Sequence, residues 1–160
     1  MLKAGKAKNL VLACAILFTF GLMSCGDDNP AAIQQQDVLL YEDQGIVDSA
    51  VVTGCYAYTL RHFLQDTLDL SAYSRIRVEF DGYSTSDHST ISVLSNSHSS
   101  TNDVLYSASN ENVNKPHSFE SGFNSDTLWL ELRLYLNPQV CGENEFKYTR
   151  ARDLRIYGVK

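Results

Sequence analysis

The residues able to do chemistry in this chain are few and scattered. Its four histidines, His62, His88, His98 and His117, fall into no His-x-His or His-Glu-x-x-His spacing, and no Cys-x-x-Cys accompanies them. No local segment therefore presents the neighbouring ligands from which a zinc site is built. A Gly-x-Ser-x-Gly nucleophile elbow and a phosphate-binding glycine loop are both missing from the sequence. Serine, histidine and aspartate do meet in STSDHSTISVLSNSHSSTND, residues 84–103. A triad is a spatial arrangement, however, and in so polar a segment these residues co-occur by composition. The segment reads as surface loops flanking one strand. No catalytic residue is assigned, and the expectation is a non-enzyme.

The N-terminus carries the most specific signal. Lys3, Lys6 and Lys8 stand in a stretch without acids, and Leu10 to Leu22 is apolar apart from Thr19 and Gly21. A membrane-spanning helix needs roughly 20 apolar residues to cross about 30 Å of hydrocarbon, and this run meets Gly26 and Asp27 too soon. It reads as a cleaved targeting segment. Leu22-Met23-Ser24-Cys25 resembles the lipobox of bacterial lipoproteins, in which the cysteine thiol is alkylated with diacylglycerol, the signal is cut before it, and the new amino group is acylated. The resemblance implies that residues 1–24 are a signal peptide and that Cys25, lipidated, begins the mature chain. Two or more acyl chains anchor a protein stably where one holds it only marginally. The alternative is a secretory signal or uncleaved anchor with an incidental cysteine. Cys14 also follows a small residue, but it lies inside the apolar run and is expected to leave with the peptide.

The residue after Cys25 is Gly26, so the inner-membrane retention signal of some enteric bacteria is not matched, and Asp27 and Asp28 resemble the acidic surface-export signals of Bacteroidetes-type lipoproteins. The resemblance implies the outer membrane, with the periplasmic and the surface-exposed leaflet both open. Residues 25–36 then form the lipidated cysteine and a polar tether, GDDNPAAIQQQ after Cys25, with a typical reach of ~20 Å for a flexible coil. The folded domain is expected over 37–160, long enough for one core.

Charge and cysteine usage extend the same reading. The chain has 13 basic and 19 acidic residues, and removing the signal's three lysines leaves 10 against 19, a formal −9. Such a surface opposes nucleic acid and anionic lipid, so no nucleic-acid role is expected and membrane attachment falls to the lipid. With Cys14 removed and Cys25 lipidated, Cys55 and Cys141 remain. In an oxidising envelope compartment they are expected to pair as a disulfide. Two separate buried thiols are the alternative.

The elements that must position these groups are strands. RIRVEFDGY (75–83) alternates, with Ile76, Val78 and Phe80 on one face and Arg75, Arg77, Glu79 and Asp81 on the other, the period-2 pattern of a half-buried strand. LWLELRLYL (128–136) turns five leucines inward and Trp129, Glu131, Arg133 and Tyr135 outward, and DLRIYG (153–158) repeats the pattern through Leu154 and Ile156. Weaker strands are expected at Val38–Tyr41, Ala50–Thr53, Tyr58–Phe63, Thr90–Leu94, Val104–Ser107 and Ser118–Phe123, with Ser, Asn, Asp and Gly clusters between them as turns. The expected fold is all-β, an antiparallel two-sheet β-sandwich.

DLSAYSRIRVEF (69–80), a Ser/Asn-rich middle, LWLELRLYL and the closing ARDLRIYG (151–158) together resemble a galactose-binding-like jelly roll, the fold of discoidin domains and many carbohydrate-binding modules. The resemblance implies a non-catalytic module that binds glycans, lipids or proteins through loops at one end or an exposed sheet face. Trp129 and Tyr135, with Arg133 between them, are the candidate ligand-binding residues, since an aromatic ring offers sugar C–H groups a flat apolar surface. Alternatively these rings pack against loops or the stems of Arg77 and Arg133. The remaining outward charges, Glu79, Glu131 and Arg155 among them, read as cross-strand ion pairs. The resemblance also implies a structural calcium near the first and last strands, for which Glu42, Asp43 and Asp153 are the candidate ligands, although calcium takes 6–8 oxygens and solvated surface carboxylates are the simpler reading. Two functions follow: a lipid-anchored envelope module for a glycan or other surface ligand, or a structural or accessory lipoprotein docked onto a larger outer-membrane protein complex.

Overall fold

The computed structural model describes residues 37–64, 67–95, 103–123, 125–142 and 144–160, all within one compact unit, Gln35–Lys160. The expected signal 1–24 and the tether 25–36 with Cys25 lie outside the described residues. Among those described, no helix is long and apolar enough to cross a membrane.

The chain runs through β1 (Val38–Thr53), β2 (Tyr58–Phe63), β3 (Leu68–Asp69), β4 (Arg75–Ser84), β5 (Ser89–Ser95), β6 (Asp103–Ser109), a short 3-10 turn (Asn110–Val113), β7 (Pro116–Gly122), β8 (Thr127–Leu128), β9 (Leu130–Leu136) and β10 (Phe146–Val159). Two four-stranded sheets result, β1-β10-β4-β7 and β2-β9-β5-β6, with β3 and β8 forming a separate two-stranded ribbon. Every pairing is antiparallel. Apart from the β5–β6 hairpin, successive long strands cross from one sheet to the other, and the first and last strands of the domain are neighbours, which is the strand order of an eight-stranded jelly roll. The expected all-β two-sheet sandwich is the observed fold.

Alternation builds the core. Ile76, Val78 and Phe80 of β4, Ala151, Leu154 and Ile156 of β10, and Val47, Ala50 and Val52 of β1 face Leu130, Leu132, Leu134 and Leu136 of β9 and Ile91 and Val93 of β5 in one buried cluster. Fully burying a side chain of this size contributes about 1.5–3 kcal/mol, so the leucine ladder of β9 is the largest single apolar contribution of any strand. Val113, from the 3-10 turn, closes the cluster at one end. Beside it His117 is buried, its Nε2–H donating to the Val113 carbonyl (3.0 Å) and its Nδ1 accepting from the Tyr106 hydroxyl (2.9 Å). Its ring stacks on Phe80 at 4.7 Å. Both ring nitrogens are thus committed to the fold.

Three boundaries differ from the sequence expectation. Val38–Tyr41 and Ala50–Thr53 are the two ends of one strand, because the Asp/Gly cluster between them is accommodated by register shifts rather than by a turn. Gly45 takes φ +84° there, a conformation that costs glycine little. Its N–H donates to Asp153 Oδ1 (2.8 Å), and Asp153 itself sits at φ +52° in an irregularity of β10. Paired bulges of this kind bend a strand while keeping its ladder. The last strand accordingly begins at Phe146, well before Asp153. LWLELRLYL, expected as one strand, breaks at Trp129: Leu128 pairs with Leu68 in the ribbon, and β9 starts at Leu130.

One end of the sandwich is tied covalently. Cys55, between β1 and β2, and Cys141, between β9 and β10, form a disulfide with Cα atoms 5.7 Å apart, inside the usual span for the bond. Each connection crosses between the two sheets, so the bond joins the sheets at that end.

Candidate functional site

The outer faces of the two sheets are built from different chemistry. On the β1-β10-β4-β7 sheet many outward positions are charged, and several of the charges are paired. Arg155 Nε donates to Glu42 (2.8 Å), Arg75 pairs with Glu120 (3.0 Å), and Arg77 lies between Glu79 (3.0 Å) and Asp37 while its guanidinium covers the Tyr157 ring at 4.6 Å. Arg155–Glu42 and Arg75–Glu120 join neighbouring strands as the alternation predicts, whereas Arg77 and Glu79 are two apart on the one strand β4. Arg77 is therefore on the opposite sheet from Trp129 and Tyr135, and the alternative in which its stem packs against those rings does not hold.

On the β2-β9-β5-β6 sheet, register places two rows across the strands. One runs Thr59, Tyr135, Thr90, Ser109, and the other Arg61, Arg133, Ser92, Ser107. Hydroxyls link the far halves of both, Thr90 to Ser109 at 3.2 Å and Ser92 to Ser107 at 3.1 Å. Tyr135, half-buried, stands among short hydroxyl side chains. No ring contact is made to it among the described residues. Trp129 directly precedes β9 and is 42 % exposed. Phe63, also exposed, pairs across from Glu131, and the Arg61 guanidinium lies 5.0 Å from its ring centre.

Between the rows and the rim stands Glu131, only 1 % exposed despite its outward position. Its carboxylate accepts from Arg61 Nε (2.8 Å), Arg61 Nη2 (2.7 Å) and Arg133 Nε (2.9 Å). An unpaired carboxylate would be costly in such a place, and these charge-assisted bonds satisfy it. The hydrogen bonds from Arg61, foremost, and from Arg133 hold the Glu131 carboxyl below the usual carboxylate range against the opposing effect of burial. Arg61 is correspondingly raised by its bonds to Glu131. Alternation identifies Trp129, Arg133 and Tyr135 as outward, but Arg61 and the hydroxyl rows come from strands whose sequence pattern is weak. Their only local signal is the Thr-x-Arg-x-Phe alternation of β2 (Thr59, Arg61, Phe63).

The candidate calcium ligands lie along the paired strands β1 and β10. Glu42 is held by Arg155, which with Gln44 keeps its carboxyl below the usual range, and Asp153 accepts from the Gly45 amide. Asp43 is opposite Leu154 in the β1–β10 register. Among the described residues no group of three or more His, Cys, Asp or Glu is placed to hold a metal ion. The Ser/His/Asp segment is used structurally where it is described: Ser84 Oγ meets Thr149 Oγ1 (2.9 Å), and Ser86 Oγ donates to the His88 carbonyl (2.9 Å). Residues 96–102, with His98, lie outside the described residues.

A depression of about 790 Å³ opens at the disulfide end between the β4–β5 and β6–β7 connections, with Thr85, Asp87, Asn110, Glu111 and Asn112 in its wall. Its lining is oxygen-rich and holds no aromatic ring among the described residues. A scan against protein-family models finds no match for this chain, and a search of curated proteins finds none.

Proposed function

We propose that this protein is a lipid-anchored lipoprotein of the outer membrane, held through Cys25, whose jelly roll presents the β2-β9-β5-β6 face to a glycan. The reading rests on one observation: Tyr135 lies in the centre of a sheet face lined by Thr59, Thr90, Ser92, Ser107 and Ser109, with the exposed Trp129 at its rim. A ring for sugar C–H groups, surrounded by hydroxyls that both donate and accept, suits a polyhydroxylated ligand. The disulfide agrees with an oxidising compartment. Retention of the purified domain on a glycan array tests the binding. Trp129→Ala is expected to abolish retention while the circular dichroism spectrum stays unchanged, and unchanged retention would sink the assignment. Intact mass of the native product tests the anchor, which predicts a chain beginning at Cys25 with added acyl mass.

A protein partner is the second reading, favoured by an exposed apolar patch on the other sheet. Val51, Tyr83 and Phe146 are exposed there, and Tyr83 stacks on Tyr148 at 5.7 Å. Aromatic clusters of this kind serve as interface hot spots. Crosslinking in whole cells followed by mass spectrometry separates the two readings: one stable partner attached near Tyr83 favours docking, and glycan binding without such a partner favours the module.

A further inference from the structure

We infer that the glycan taken by this face is anionic, a chain of uronic acids whose carboxylate is received by Arg133. The inference rests on the proposed glycan-binding reading and deepens it. It starts from an imbalance: the rows carry two guanidiniums, directly opposite each other at Arg61 and Arg133, against the single carboxylate of Glu131. Like charges in opposite positions repel, so Glu131 holds together a pair that retains one net positive charge.

The donors are spent unequally. Arg61 gives Nε and Nη2 to Glu131, a side-on bidentate bond. Arg133 gives Nε alone, which leaves its Nη1/Nη2 edge without a hydrogen-bond acceptor among the described residues. That edge presents two nearly parallel N–H bonds, the geometry that matches a carboxylate. Arg133 is about one-third exposed, and its orientation is already set by the bond to Glu131, so little rotamer freedom remains to be lost on binding.

Position links this edge to the ring. Arg133 and Tyr135 are two apart on β9 and share the outer face, roughly 7 Å from each other at the strand rise of about 3.4 Å per residue. A pyranose stacked on Tyr135 thus extends its exocyclic carboxylate over the neighbouring guanidinium, while Thr90 and Ser92 face its ring hydroxyls from β5. The mature chain's net negative charge does not oppose this locally. The acids Glu42, Glu79 and Glu120 belong to the other sheet and are neutralised by arginines.

The test is titration of the full mature chain with short oligogalacturonates and oligomannuronates, with their methyl esters, and with neutral oligosaccharides of the same length. Binding to an oligouronate that falls at least tenfold on esterification, and at least tenfold in Arg133→Gln, is the expected result. Arg61→Gln, which removes a guanidinium already held by two bonds to Glu131 and lying against the Phe63 ring, one strand further from Tyr135's neighbours on β5, is expected to weaken binding less, and circular dichroism checks that each variant is folded. Equal binding of acid and ester overturns the uronate assignment and leaves the glycan face standing. Binding confined to sulfated glycans overturns the carboxylate assignment in the same way. Binding to none of the array glycans overturns both readings, and binding that survives Arg133→Gln in a folded protein removes Arg133 from the site.

Discussion

The two outer faces of this sandwich obey the same alternation and reach opposite ends. On the β1-β10-β4-β7 face, Arg75, Arg77 and Arg155 each point their donors at a carboxylate of the same molecule, and Arg150 lies over the Tyr148 ring. On the β2-β9-β5-β6 face, two of the cross-strand rows are mostly hydroxyls, and the charges are two arginines around one buried acid. A guanidinium paired within the fold has few donors left to offer a ligand. A face with one ring and an unspent guanidinium edge keeps its hydrogen-bonding capacity for something outside. The contrast lies in how many donors the fold itself consumes, and it is invisible in the count of polar residues.

The largest expected effect is one that does not distinguish the faces. The Cys55–Cys141 bond closes a loop across 86 positions and joins both sheets at one end. On the chain-entropy model its removal costs about 4–5 kcal/mol. Cys55→Ser with Cys141→Ser, or reduction, is expected to lower the melting temperature strongly and to abolish the order of both faces in one transition. Two separable transitions would mean that the sheets are stabilised independently.

The next effect separates them. Glu131→Gln leaves the arginines bonded to a neutral group that accepts less and presents an amide donor to them, at an expected cost of about 1–3 kcal/mol in thermal or urea unfolding. Glu120→Gln, which breaks the exposed pair with Arg75, is expected to change stability by less than about 0.5 kcal/mol. Similar losses at both positions would erase the contrast between a buried clamp and a solvated lattice.

The smallest effect is in the pH dependence. Hydrogen bonds from Arg61 hold Glu131 below the usual range, and the bond from Arg155 does the same for Glu42. A carboxyl lowered in the folded state adds stability above its unfolded value of about 4.3 and loses it as pH falls through the folded value. Melting temperature is therefore expected to be flat between about pH 7 and pH 5 and to fall below about pH 4. In Glu131→Gln that fall is expected to be shallower. An unchanged slope would show that the clamp contributes nothing to acid unfolding.

Much of this fold is legible before any coordinates. The leucines of 128–136, the Ile/Val/Phe positions of 75–83 and Leu154 with Ile156 declare their buried face by spacing alone, because successive side chains on a strand must point to opposite sides. The same rule marks Trp129, Arg133 and Tyr135 as outward. It misplaces the segment Glu42–Ser49, where turn-forming residues are absorbed by a bulge whose amide partner, Asp153, is supplied 108 positions later.

Local alternation and the pairing of Cys55 with Cys141 were properties that the order of residues could carry, since a pleated backbone has period two whatever it packs against, and these are the two cysteines of the segment 37–160. Which strands became neighbours was settled by folding. Glu131 looks like any solvated acid in its own strand, and it became a buried clamp only because packing set β2 beside β9 in the register that brings Arg61, 70 positions away, onto its carboxylate. Registers between distant strands follow from burying two apolar faces at once, so the charge left over on a face is decided by that burial and not by any single stretch of the chain.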